Sequence, residues 1–168
     1  GNLIVNIGAD TTEISVISMG GIVVSRIIKL GGNNIDQMIC DVVKRRYNIY
    51  IGLRTAEKIK IALADAIYSE DENNEDDILY VFGRNVITGL PSERAVAKDT
   101  ICEAIKPFFD EMVDSIKTIL ERTPPELSAD ILETGMYLTG GSASIRNLDK
   151  LIAQETDLKV NTVKNPEA

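Results

Sequence analysis

The sequence predicts a layered α/β fold that carries a small α+β insertion. Three consecutive strand patterns open the chain, helix and strand patterns alternate after residue 99, and a mixed segment, residues 32–98, lies between these two parts. Because alternating helices and strands bury a sheet beneath helices, a layered arrangement accommodates all of them. At 168 residues the chain is long enough for one sizeable domain or for two small lobes.

Composition excludes several classes of function. A net charge of −8 argues against a nucleic-acid surface, which needs clustered Lys and Arg. The chain has no histidine, which removes Ser–His and Cys–His nucleophiles and histidine metal ligands. The two cysteines fall in helical patterns, so we expect a reduced, cytoplasmic protein. No apolar stretch reaches the roughly 18 residues of a membrane span.

The first three strands are expected to form an antiparallel meander. Residues 3–7 are mainly apolar, and polar and apolar residues alternate from 13 to 18. A third strand is predicted over residues 22–30, after a Gly-Gly turn. Because a core strand begins at residue 3 and no methionine starts the chain, we expect a piece of a larger protein.

The insertion is expected to contain two helices and a small sheet. Asn34 has N-cap chemistry and precedes a helix that runs to about residue 47, and a second helix covers about residues 55–68. The acidic run 69–77 is typical of a solvated loop and is given no chemistry. Short strands are predicted over residues 78–82, 85–88 and 93–97, with a turn at Gly83 and Arg84 between the first two.

The last third of the chain predicts helices that alternate with strands. Thr100 and Glu103 have capping-box spacing and open a long helix, which Pro124 and Pro125 end. The second proline suits the first turn of a short helix that ends near residue 133. A strand over 136–138, a helix over about 145–154 and a strand over 158–160 complete the order.

Two glycine-bearing turns stand directly after apolar strands. The first is residues 8–12 and the second is Gly140-Gly141-Ser142. In a layered α/β fold such strand ends share one edge of the sheet, where ligands usually bind, and backbone N–H groups in such turns suit a phosphate. An ordinary hairpin turn and a plain strand-to-helix turn explain the same residues, and the pattern alone leaves both explanations open.

Further segments give the chain a family resemblance. The segments GLRTAEKIKI at residues 52–61, VITGLP at 86–91, TPPELSADI at 123–131 and LTGGSASIRNLDKLI at 138–152 resemble the MreB family of bacterial actin homologues. Residues 17–26 resemble a further family segment, and the likeness covers essentially the whole chain. The chain resembles the C-terminal half of the family, within the actin, Hsp70 and sugar-kinase superfamily.

The resemblance implies an actin-like ATPase fold. It implies an RNase H-like lobe, residues 1–31 and 99–168, with the inserted α+β subdomain at residues 32–98. ATP and Mg²⁺ are then expected in a cleft between this half and a missing N-terminal half. The cofactor-binding residues that it implies are Gly8, Ala9, Asp10, Thr11, Thr12, Glu57, Lys60, Gly140, Gly141, Ser142 and Ile145.

The first loop departs from the family pattern D-I-G-G-G-T-T-E. Asn6 stands where the family aspartate helps to hold Mg²⁺, so the predicted metal position lacks its charge. Ala9 adds a methyl group, and Asp10 adds a carboxylate beside an anionic ligand, which costs binding energy unless it turns away or meets the metal. Thr11 is retained at the family's catalytic position, where it helps to orient the attacking water.

The resemblance and these departures from it imply two functions from different classes. The first is a polymerising ATPase whose filaments direct cell shape and cell-wall synthesis, and the alternative is a non-hydrolysing scaffold or regulator with a degenerate phosphate loop. Self-association and cell-wall synthesis proteins are the expected partners, without nucleic acid. Membrane contact is expected only through the missing half, with the filaments cytoplasmic and membrane-associated. A carbohydrate kinase or an Hsp70-like chaperone disagrees with the MreB-type segments.

Overall fold

The predicted meander forms one side of a five-stranded sheet. The computed structural model describes residues 1–69 and 77–163. In this large sheet, β1 pairs with β2 and β2 with β3 in antiparallel fashion, whereas β7 is parallel to β1 and β8 is parallel to β7. The spatial order is β3-β2-β1-β7-β8. The strands are β1 (Asn2–Ile7), β2 (Thr12–Ser18), β3 (Gly21–Ile28), β7 (Met136–Thr139) and β8 (Val160–Thr162).

The parallel pairing of β1 and β7 places the two glycine-bearing turns side by side. Asn6 near the end of β1 is opposite Thr139 at the end of β7. The chain leaves both strands at the same edge of the sheet, as expected for the carboxyl ends of parallel neighbours. The prediction that residues 8–12 and 140–142 share one edge is therefore confirmed by this register.

A second, three-stranded antiparallel sheet lies within residues 49–97. Its order is β4-β5-β6, and it consists of β4 (Ile49–Tyr50), β5 (Ile78–Asn85) and β6 (Pro91–Ala97). The predicted turn at Gly83 is wrong, because β5 continues through it and Gly83 pairs with Ser92. A Cβ at Gly83 would lie 2.5 Å from the carbonyl oxygen of Tyr50, so this glycine permits close strand packing instead of a turn.

Five α-helices surround the two sheets in the described part of the chain. They are α1 (Gly32–Tyr47), α2 (Leu53–Leu63), α3 (Lys98–Arg122), α4 (Pro125–Thr134) and α5 (Leu148–Thr156). The start of α4 at Pro125 was predicted. Within residues 1–69 and 77–163, no helix is long and apolar enough to cross a membrane.

Several predicted boundaries differ from the observed ones. The helix predicted from residue 145 is instead a short 3-10 turn, Gly141–Ser144, followed by α5 from Leu148, because Asn147 adopts a left-handed φ of 64° that interrupts a continuous helix. α2 ends five residues before its predicted limit. Of the acidic run, residues 70–76 lie outside the described residues. The two-lobe division at residues 31/32 and 98/99 stays a prediction.

The long helix α3 joins the two sheets into one core. It contacts β2 and β3 of the large sheet, β6 of the small sheet and the helices α1, α2 and α5. Its side chains at Ile105, Phe108 and Met112 are completely buried. Burial of such side chains stabilises the fold by about 1.5–3 kcal/mol each, so α3 fixes how the small sheet stands relative to the large sheet.

We expect Phe108→Ala to lower the free energy of unfolding by about 3–5 kcal/mol, because it removes a fully buried ring and leaves a cavity. The matched control is Phe82→Ala on β5, where the ring is 69% exposed, and we expect a change within about 0.5 kcal/mol. Urea denaturation followed by circular dichroism measures both. Equal effects of the two substitutions would contradict the central position of α3.

Candidate functional site

A cleft of about 890 Å³ opens at the edge of the large sheet where β1 and β7 end. Four segments form its walls: the loop after β1, the first turns of α1, the end of α2 and the turn after β7. The lining residues are Asn6, Ile7, Gly8, Ala9, Gly32, Asn33, Asp36, Glu57, Lys60, Ile61, Gly140, Gly141, Ser142, Ser144, Ile145 and Arg146. Residues far apart in the chain therefore share one concave surface, as ligand sites require.

The loop after β1 is fastened to the beginning of α1. The N–H of Gly32 donates to the carbonyl oxygen of Gly8 at 2.9 Å, and the N–H of Asn33 donates to that of Ala9 at 2.8 Å. A Cβ at Gly31 would lie 2.5 Å from the carbonyl carbon and oxygen of Ala9, so only glycine permits this approach. The N-terminal N–H groups of α1 are thus satisfied by the loop.

This fastening determines the direction of two backbone donors. In a trans peptide the N–H of one residue is opposite to the carbonyl of the residue before it. Because the carbonyls of Gly8 and Ala9 face α1, the N–H groups of Ala9 and Asp10 face away from it. Neither group donates a hydrogen bond to another described residue. Two parallel, unengaged N–H groups of this kind can bind an anionic oxygen.

The turn after β7 approaches the same loop closely. Gly140 has a φ of +101°, and a Cβ at this position would overlap the carbonyl oxygen of Ile7. On the other side, a Cβ at Gly32 would lie 2.9 Å from the hydroxyl oxygen of Ser142. The glycines therefore allow the turn after β7, the loop after β1 and α1 to meet without side chains between them.

A buried ion pair forms the opposite wall of the cleft. Lys60 Nζ on α2 lies 2.9 Å from Asp36 Oδ1 on α1, and the two side chains are only 13% and 11% exposed. Glu57, one helical turn before Lys60, is exposed and lines the same cleft. The pair holds an ammonium group at the wall while α1 and α2 stay packed together.

The predicted site residues divide into two groups. Those that line the cleft are Asn6, Gly8, Ala9, Glu57, Lys60, Gly140, Gly141, Ser142 and Ile145. Among the described residues, Asp10, Thr11 and Thr12 do not line it. The Thr12 hydroxyl donates to the carbonyl of Leu30 at 2.7 Å in the core, and Thr11 is exposed, with its carbonyl accepting from the N–H of Gly8.

The lining residues that the sequence did not predict are Ile7, Gly32, Asn33, Asp36, Ile61, Ser144 and Arg146. A signal for Gly32 was present in the sequence, because the pair Gly31-Gly32 directly follows the third predicted strand, and α1 begins at Gly32. A signal for Asp36 was also present, because this carboxylate stands between apolar residues on the buried face of α1. A charge on such a face needs a partner, and Lys60 provides it.

The residues present do not fit the Mg²⁺ that was predicted at Asn6. The amide is neutral, and its oxygen accepts a hydrogen bond from the Thr139 hydroxyl at 3.0 Å. The nearby carboxylate of Asp10 accepts a hydrogen bond from Asn33 Nδ2 at 2.9 Å, outside the cleft lining. Across residues 1–69 and 77–163, no three Cys, Asp or Glu side chains are grouped so as to hold a metal ion.

Comparison with known proteins assigns the fold to the actin-like class. Crystal structures of MreB5 of Spiroplasma citri bound to ADP and bound to AMPPNP superpose with TM-scores of 0.87 and 0.86, each at 36% identity. They cover 97% and 96% of this chain and 48% and 47% of the MreB5 chains. The filament protein MamK, at 22% identity and a TM-score of 0.75, shares the fold.

The family follows from sequence. The family model described as MreB/Mbl protein matches residues 1–168, so the chain belongs to the MreB/Mbl family. The cell shape-determining protein Mbl of Bacillus cereus is 43% identical over 99% of the chain, and the cell shape-determining protein MreB of Escherichia coli is 40% identical over the same share.

The chain spans about half the length of these relatives, 49% of Mbl and 47% of MreB. The family prediction is confirmed. The narrower prediction, that the chain is the C-terminal half, is not confirmed by these matches. We therefore describe the chain only as one half of the protein and call the remainder the complementary half.

We expect Lys60→Met to lower the free energy of unfolding by about 3 kcal/mol, because it leaves the buried Asp36 carboxylate without its cation. Lys58→Met on the exposed face of the same helix is the matched control and should change stability by less than about 0.5 kcal/mol. The double variant Asp36→Leu with Lys60→Met should recover most of the loss. Chemical denaturation measures all three, and equal values for the two lysines would refute the pairing.

Proposed function

We propose that this chain forms one wall of an ATP site in a filament-forming, cell shape-determining protein of the MreB type. The nucleotide would lie between this chain and the complementary half. The cleft at the carboxyl ends of β1 and β7 carries this proposal, because it combines a fastened loop with free N–H groups, a glycine turn and a lysine at the opposite wall. The ADP and AMPPNP in the MreB5 structures support it.

Each wall of the cleft has a separate role in this proposal. The N–H group of Ala9 binds a phosphate oxygen, and the open backbone at Gly141 lies against the adenosine, where nothing would meet a Cβ within 4 Å. Glu57 and Lys60 on α2 contact the ribose and the base. Because α1 and α2 belong to the insertion, a nucleotide that touches α2 and the β1 loop together ties the insertion to the large sheet.

Filament formation and its consequences belong to the intact protein. Nucleotide state would bias the position of the insertion, and with it the end surfaces through which subunits stack head to tail. The filaments would direct cell shape and cell-wall synthesis in the cytoplasm. Contact with the membrane would be made by the complementary half.

Glu57→Gln in the intact protein is expected to weaken ATP binding about tenfold, because a charged hydrogen-bond acceptor for the ribose is lost. Glu93→Gln, an exposed glutamate on the small sheet, is the matched control and should leave the affinity unchanged. Isothermal titration calorimetry with ATP measures both. Equal affinities would place the ribose elsewhere.

The isolated chain in excess is expected to reduce the amount of intact protein that pellets on ultracentrifugation. It carries part of each head-to-tail contact but lacks the contacts of the complementary half, so it would end a growing filament. A denatured sample of the same chain is the control. Unchanged pelleting would count against a subunit contact on this half.

The second candidate function is a non-hydrolysing scaffold or regulator of the same family. Asn6 and the exposed position of Thr11 outside the cleft lining favour it, because neither places a charge or a hydroxyl beside the phosphates as the family pattern does. Phosphate release from assembled filaments separates the two functions. Turnover above a buffer blank supports the ATPase, and assembly without release supports the scaffold.

A further inference from the structure

In the Asn6 side chain, the amide oxygen has a hydrogen-bond partner among the described residues and the amide nitrogen has none. The Thr139 hydroxyl donates to Asn6 Oδ1 at 3.0 Å, so the neighbouring parallel strand holds the oxygen. Asn6 is exposed and lines the cleft beside Gly8 and Ala9. In the described structure Nδ2 has no hydrogen-bond partner, and as an amide nitrogen it can only donate.

The one carboxylate of this loop points elsewhere. Asn33 Nδ2 donates to Asp10 Oδ1 at 2.9 Å, so the carboxylate is held at the start of α1. The backbone hydrogen bond from the Asn33 N–H to the Ala9 carbonyl oxygen joins the same two segments, and it fixes this arrangement at a second point. The negative charge of Asp10 is thus kept out of the cleft lining, while its N–H group faces away from α1.

Two neutral donors from residues of the cleft lining therefore lie at the end of β1: Asn6 Nδ2 and the N–H group of Ala9. Neutral donors can bind phosphate oxygens directly. A carboxylate in place of the Asn6 amide would repel the same oxygens and would need a cation between them.

We propose that Asn6 contacts the nucleotide phosphates directly through Nδ2 and makes nucleotide binding by this protein largely independent of Mg²⁺. This inference rests on the proposed nucleotide site. It makes Asn6 a specificity-determining residue, because the choice of amide or carboxylate at this position decides whether the site prefers the free nucleotide or the magnesium complex.

The test measures ATP affinity of the intact protein by calorimetry, once with Mg²⁺ and once with excess EDTA. For the natural protein we expect the two affinities to agree within about threefold. For Asn6→Asp we expect the affinity in EDTA to fall about tenfold or more, because the new carboxylate repels the unshielded phosphates. The affinity with Mg²⁺ should hold or rise. The Thr139 hydroxyl can donate to aspartate as well, so the fold is retained.

Glu93→Gln is the matched control, because it removes an exposed carboxylate on the small sheet, outside the cleft lining. We expect it to leave the ratio of the two affinities unchanged. The proposal is overturned if the natural protein requires Mg²⁺ for nucleotide binding, and also if Asn6→Asp does not create such a requirement.

The same data distinguish this proposal from the proposed function. Binding that occurs but depends on Mg²⁺ equally in all three proteins contradicts the role of Asn6 and leaves the nucleotide site intact. A lack of nucleotide binding by all three proteins, in either buffer, contradicts the nucleotide site and overturns both proposals.

Discussion

Two backbone hydrogen bonds between the β1 loop and the start of α1 determine most of the cleft. They commit the carbonyls of Gly8 and Ala9 to the N–H groups of Gly32 and Asn33, and they orient the remaining N–H groups of the loop. They also fix the first turn of α1, which carries Asp36. Asp36 in turn holds Lys60 on α2. The position of the Lys60 ammonium group therefore depends on the β1 loop.

This arrangement requires glycine wherever backbone meets backbone. Gly31 lies against Ala9, and Gly140 lies against Ile7 with a positive φ. A side chain at either position would separate the loop from α1 or from the turn after β7. Glycine costs conformational entropy on folding, and the hydrogen bonds and the buried core of α3 offset that cost. The glycine content of the two turns therefore reflects packing as much as ligand binding.

The sequence predicted those features of the fold that depend on local periodicity. The meander, the apolar stripes of α1 and α3 and the stop at Pro125 all follow from spacing and backbone preference. It did not predict that Gly83 sits inside a strand, because a close approach to Tyr50 is decided by a partner more than thirty residues away in the chain. A glycine has the same local signature in a turn and at a crowded crossing.

The candidate site was predictable to a similar depth. Spacing and resemblance brought together the loop, the glycine turn, Glu57 and Lys60, and of these the cleft contains Gly8 and Ala9 of the loop, the glycine turn and both side chains of α2. The directions of polar side chains were not predictable, because they depend on distant partners. Thr12 turns to Leu30, and Asp10 turns to Asn33, which lies 23 positions further along the chain. Each departure in the loop was visible in the sequence, but the direction of its side chain could be known only from the hydrogen-bond partner in the structure.

Each of two departures from the family pattern, Asn6 and Asp10, acts together with a partner residue elsewhere in the chain, and this changes what the loop can bind. A carboxylate at residue 10 beside the phosphates would oppose binding, whereas a carboxylate bonded to Asn33 reinforces the attachment of the loop to α1. An amide at residue 6 would lose contact with a metal-bound water, whereas an amide whose oxygen is held by Thr139 offers a donor to the phosphate itself. Binding and turnover are thereby separated in physical terms. In the proposed nucleotide site, unengaged donors lie at the end of β1, whereas the proposed scaffold function needs no group that prepares a water for attack.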